Sequence, residues 1–157
     1  MKKEICKYIT AEAIISAAFN FFINGMAAAL IYHKVDKVPA DLTGFAIDQF
    51  IICMCICILT ALASKASLKR TNLLETQTGG GSLLRFLSRL SRRAVLFGAL
   101  FGLVTFLAAF ALTVAIFTLF QITEIPFGIY VTLKCVLYAL LGAGATTLEL
   151  FSGMHKT

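Results

Sequence analysis

The chain has 157 residues, of which 59% are hydrophobic and only 14% charged, and its mean hydropathy is +0.89. That composition excludes an ordinary soluble domain and predicts a single all-α membrane domain covering residues 1–157. The net charge of +6 does not point to nucleic acid. Seven of the fourteen Lys and Arg lie between Lys65 and Arg93, beside apolar stretches, where cations set membrane orientation and meet anionic lipid.

In chain order, four stretches reach the roughly 20 residues that a helix needs to cross a hydrocarbon core: Ala13 to Tyr32, Gly44 to Ser64, Ala94 to Phe120 and Pro126 to Leu148. Lipid offers the backbone no hydrogen-bond partners, so each is expected to be helical. The third exceeds what a span requires, which predicts tilt or an extension into the interface. The first stretch also resembles a secretory signal, because Lys2-Lys3 precede it and Ala27-Ala28-Ala29 offer a small-residue cleavage site. Its length, with Asn20 and Asn24 inside it, favours a retained helix.

A mixed-charge loop, His33 to Thr43, joins the first two stretches, with Asp41 or Thr43 suited to cap the second. Gln121 to Ile125 join the last two, and Pro126 suits a first helical turn. Such short links predict two antiparallel hairpins. Between them, Gly79-Gly80-Gly81-Ser82 reads as a flexible break. An amphipathic segment follows over about 83–93, where Leu83, Leu84, Phe86, Leu87 and Leu90 alternate with Arg85, Arg89, Arg92 and Arg93 at helical spacing. Those four arginines are the expected contacts to lipid headgroups.

The same cations predict topology. Lys2, Lys3, Lys7 and the central seven fall on one side, against Lys34 and Lys37 on the other. The expectation is a multi-pass protein of the cell membrane with both termini cytoplasmic.

Packing in lipid relies on small residues and interhelical hydrogen bonds. Gly98 and Gly102 in the third stretch and Gly142 in the fourth are expected at helix contacts, either inside a bundle or at a homo-oligomer seam. The five cysteines are an odd number and four lie in apolar stretches, so no disulfide framework is expected. Within Cys53-Met54-Cys55-Ile56-Cys57, Cys55 points away from the other two thiols on a helix, which argues against a metal site.

Ionisable groups inside spans mark functional sites. Asp48 lies about 6 Å into the second helix and Lys134 about 12 Å into the fourth at 1.5 Å per residue, both entering from the outer side. With Gln49 and Asn24 near the same level and Asn20 deeper, these five residues form the candidate ion- or substrate-binding set. The sequence has no Cys-x-x-Cys, no P-loop and no nucleophile-base pattern, so neither an enzyme nor a cofactor is expected.

Offsetting the chain to place Ala13-Ile14-Ile15 over Ala94-Val95-Leu96 superposes the two hairpins by hydropathy, the pattern of a parallel repeat. The stretch Phe19-Asn20-Phe21-Phe22-Ile23-Asn24-Gly25, with Asp48 and the basic exit Lys65 to Arg70, resembles small four-helix bacterial inner-membrane proteins, some of them labelled permeases. The resemblance covers the first hairpin; it implies a four-helix membrane fold and carries over no function or site residue. The residues themselves lead to a transport or permease-like protein for an ion or small polar solute. The rival expectation is a noncatalytic accessory or scaffold subunit packed against a larger membrane partner.

Overall fold

A computed structural model describes residues 2–32, 34–73 and 82–155. His33, Lys156 and the glycine run at 79–81 lie outside the described residues. Five helices and two short strands follow in the order α1 (Lys2–Tyr32), β1 (Lys37–Pro39), α2 (Leu42–Arg70), α3 (Ser82–Ser91), α4 (Ala94–Phe120), β2 (Glu124–Pro126) and α5 (Phe127–Gly153). Four of the helices are long and apolar enough to cross a membrane. Three of these, α1, α2 and α5, run beyond the apolar stretches by one to several turns, because their polar ends, such as Lys65 to Arg70, are also good helix formers.

The helix ends follow local chemistry. Asp41 caps α2, its carboxylate accepting from Thr43 N at 3.1 Å and Gly44 N at 3.0 Å. Asp41→Ala should therefore lower stability by about 1 kcal/mol, read from unfolding in mixed micelles; an unchanged midpoint would remove the cap from the account. Lys69 and Arg70 complement the dipole at the far end of α2, and Asn72 then turns the chain away with φ 56°. Gln121 ends α4 in the same left-handed region, its N–H bonded to Phe117 O. Pro126 stands immediately before α5, where its missing N–H costs no helical bond.

The strands were not legible in the sequence. β1 and β2 pair antiparallel with Val38 opposite Ile125. Each turns its central aliphatic residue inward, Val38 at 2% and Ile125 at 8% exposure. Ala40 N→Thr123 O (2.9 Å) and Phe127 N→Asp36 O (3.0 Å) extend the ladder, and each strand ends on a proline, where no ladder donor is needed. Across it, Lys37 Nζ donates to Glu124 Oε2 at 2.9 Å; that hydrogen bond, and then the charge behind it, hold the Lys37 amine above the usual lysine range. Beneath lie Ala28 and Tyr130, with Tyr32 and Phe45 packed edge-on against Tyr130 at 5.2 and 5.5 Å.

The packing departs from two self-contained hairpins. α1 lies against α5, α2 against α4, and α2 against α5, while α1 hardly meets α2 and α4 hardly meets α5. Glycine decides the tightest contact. A Cβ on Gly98 would stand 2.6 Å from Ile58 Cα and 2.7 Å from Cys57 O, and one on Gly102 would stand 3.1 Å from Cys53 O. The glycine face of α4 is thus taken up by α2 within the chain and is not free to form a seam with a second copy. Gly142 makes room for side chains of α1, facing those of Asn20 and Ser16.

Exchanging α1-β1-α2 with α4-β2-α5 maps this contact pattern onto itself, including the β1–β2 ladder. The exchange leaves α2 and α5 as the pair in contact at the centre. It aligns Lys37-Val38-Pro39 with Glu124-Ile125-Pro126, a longer offset than hydropathy alone suggests.

At the opposite, basic end, α3 packs on α5 and α4. Ser88 and Ser91 face the bundle, Ser91 Oγ donating to Glu149 Oε1 at 3.1 Å and Ser88 Oγ to His155 O at 2.5 Å. Leu87 and Leu90 close over Ala94 and Phe97. Leu83 and Phe86 stay exposed, as do Arg85, Arg89, Arg92 and Arg93.

Candidate functional site: a charge-paired cavity

Because the strand pair holds the starts of α2 and α5 side by side, residues a similar distance along each helix fall at one level. Asp48 and Lys134 are such residues. Lys134 Nζ donates to Asp48 Oδ2 at 2.6 Å, with the lysine side chain 9% and the aspartate 28% exposed. The ammonium also lies 5.2 Å from the Tyr130 ring centre and 5.9 Å from that of Tyr138. Tyr130, Lys134 and Tyr138 follow one another at intervals of one helical turn, so α5 presents all three on one face. That spacing was readable in the sequence, but the part played by the rings was not.

These groups line a cavity of about 430 Å³ between α4 and α5, floored by α2. It exists because α4 and α5 splay apart, each being drawn instead to its own partner helix. Its polar wall carries Asp48, Gln49, Thr113 and Lys134, and its apolar wall Leu112, Ile116, Leu133 and Leu137. Gln49 Nε2 donates to Thr113 Oγ1 at 3.0 Å, while Gln49 Oε1 is buried with no hydrogen-bond partner. A buried acceptor left unmatched costs about 1–3 kcal/mol. It lies one residue from the ion pair but beneath the cavity surface, and Glu149 Oε2 at the basic end is unmatched in the same way.

Asn20 and Asn24 are not part of this cavity. They line a second one, about 390 Å³, between α1 and α2, together with Ser16, Thr60, Ser64 and Thr146. Each amide is turned back on its own helix, Asn20 Nδ2 to Ser16 O and Asn24 Nδ2 to Asn20 O, both at 2.8 Å. The five residues expected to act together therefore divide into three and two. Depth along each helix was legible from counting, but helix order was not, and order decides which residues share a cavity. Cys53, Ile56 and Tyr138 form a buried cluster between the two cavities, with Ile56 facing one and Tyr138 the other.

Of the cysteines, Cys53, Cys57 and Cys135 are buried and Cys55 is exposed along the α1–α2 cavity. Among the described residues, no group of three or more His, Cys, Asp or Glu is placed to hold a metal ion. Near the basic end a further polar set escaped the sequence reading: Tyr8 Oη lies 2.7 Å from Ser67 Oγ, which donates to Glu12 Oε1 at 2.9 Å. Only the i, i+4 style of local spacing is visible in a sequence, and these partners come from α1 and α2.

Taken together, the elements define a bundle of four long apolar helices with a charge-paired cavity near its strand end. No family model, curated protein or solved structure matches the chain.

Proposed function

We propose that the chain is a four-span inner-membrane protein with cytoplasmic termini that carries an ion or small polar solute, using the Asp48–Lys134 cavity as its outward-side site. The observation that carries this is the Lys134–Asp48 ion pair, made at 2.6 Å between two long apolar helices on the wall of a cavity.

Three further features support the reading. Large apolar side chains such as Phe19, Phe22, Leu30, Leu119 and Leu140 are exposed on the outer faces of the long helices, as lipid contact requires. The exposed arginines of α3 and its outward Leu83 and Phe86 match a helix lying in the headgroup layer. Two cavities on either side of one buried cluster, built from two similar α-β-α units, supply the two half-pathways that a rocking repeat would open in turn.

Solute and ion flux in reconstituted vesicles tests the proposal. Wild type should conduct or exchange a solute, with Asp48→Asn and Lys134→Met reducing that flux at least about tenfold, the effect of removing a charge-assisted contact. Equal flux in all three folded proteins would sink it. The accessory-subunit reading rests on one observation, the outward Leu83 and Phe86 amid exposed arginines, which also suits docking to a partner. It gains if no solute crosses and α3 substitutions release a co-purifying membrane protein.

A further inference from the structure

We infer that the occupant of the Asp48–Lys134 cavity is a small zwitterion, a molecule bearing a primary ammonium and a carboxylate next to a short apolar side group. This deepens the carrier reading and rests on it only for the statement that the bound molecule then crosses.

Charge balance makes the first argument. The site holds one carboxylate and one ammonium, joined at 2.6 Å and largely buried. A lone cation entering would pair with Asp48 and leave Lys134 without its partner; a lone anion would do the reverse. Either way one charge loses its partner, a costly arrangement above all for Lys134, whose side chain is the more deeply buried of the two. An uncharged polar solute lacks the field to part the pair. A zwitterion replaces one ion pair with two, its carboxylate on Lys134 and its ammonium on Asp48, and brings no net charge into the bundle.

Hydrogen-bond chemistry supplies the second argument. Asp48 Oδ2 accepts a hydrogen bond from the Lys134 ammonium at 2.6 Å, so a ligand ammonium bearing N–H donors can take over that bond like for like, which a quaternary amine cannot.

Shape supplies the third. The volume of about 430 Å³ sits at the low end of small-molecule sites, which limits the occupant to one small molecule. Beside the polar groups, Leu112, Ile116, Leu133 and Leu137 line the same outward-open cleft and are exposed along it, matched by a branched or straight apolar side group and not by a second charge.

The test uses the full chain in lipid nanodiscs, with radiolabelled leucine as probe. Unlabelled leucinamide, which lacks the carboxylate, and 4-methylpentanoate, which lacks the ammonium, serve as competitors beside potassium chloride. Leucine should bind saturably, and both analogues should compete about 10- to 100-fold more weakly, the ratio expected when one charge-assisted hydrogen bond is lost. Lys134→Met and Asp48→Asn should abolish binding, and Lys7→Ala, at an exposed pair with Glu4 near the other end, should leave it unchanged.

Because the single charge variants risk misfolding, the double variant Asp48→Asn/Lys134→Met provides a second arm. It removes both charges together and strands neither, so the protein should fold close to wild type while failing to bind leucine. Competition by leucinamide, 4-methylpentanoate or potassium as strong as by leucine would overturn the zwitterion assignment, and so would wild-type affinity in the folded double variant. Leucine binding without vesicle flux would leave the assignment standing and remove the carrier reading. Asp48-dependent flux of another solute with no leucine binding would do the opposite.

Discussion

Lys134→Met should lower the stability of the folded protein by about 3 kcal/mol, the low end of what breaking a buried ion pair costs. The lysine is almost fully buried, and Asp48 keeps 28% side-chain exposure, which lets water or a headgroup relieve part of the stranded charge. Asp48→Asn should act similarly by leaving the ammonium against Tyr130 and Tyr138, whose rings hold it weakly. The double variant Asp48→Asn/Lys134→Met removes both charges and should recover most of the loss, giving a coupling of about 2 kcal/mol or more in a double-mutant cycle. Equilibrium unfolding in mixed micelles, followed by helical circular dichroism, reads all four proteins. If the single variants fall within about 0.5 kcal/mol of wild type, the pair is not buried as described.

Gly98→Ala should be comparably severe, again about 3 kcal/mol, at the top of the usual range for overpacking. The added methyl would meet Ile58 Cα at 2.6 Å, Cys57 O at 2.7 Å and Ile58 N at 2.9 Å. All three are backbone atoms of α2, so no side chain can turn aside and α4 must move as a body. Gly142→Ala tests that logic. There the nearest atom is Asn20 Nδ2, the end of a side chain, and a rotation should limit the cost to about 1 kcal/mol. At Gly144 nothing lies within 4 Å, and alanine should stabilise by about 0.5–1 kcal/mol through helix propensity alone. A flat response across the three glycines in the same unfolding assay would count against the described α2–α4 approach.

These two results bear on function through one geometry. The close approach of α4 to α2 at Gly98 and Gly102 leaves α4 parted from α5 further along, and that parting forms the charge-paired cavity. Loosening the glycine contact should therefore weaken ligand binding without any change to Asp48, Gln49 or Lys134.

Much was determined by the sequence alone, wherever the cause is local. Long apolar runs, two of them interrupted by one charge each at Asp48 and Lys134, make the four long helices, because the backbone in such a run is best satisfied by its own turns. Asp41 as a cap and Pro126 at a helix start were legible from short-range chemistry, and the alternation of apolar residues and arginines marked α3 as a short helix. Counting residues along each helix also placed Asp48 and Lys134 at similar levels.

The tertiary structure alone decided which helices are neighbours. Hydropathy is nearly the same around α1 and α4, so periodicity carries no instruction about partners, and small residues at Gly98, Gly102 and Gly142 select them only once two backbones meet. That choice sets α1 on α5 instead of on α2. It moves Asn20 and Asn24 into a separate cavity and brings Thr113, Tyr130 and Tyr138 to the ion pair. The β1–β2 pairing is of the same kind, since three-residue strands far apart in the chain have no local signal and form because four helix ends hold them together. The physical reason throughout is that local hydrogen bonding and polarity are written residue by residue, whereas close packing depends on which surfaces arrive opposite one another.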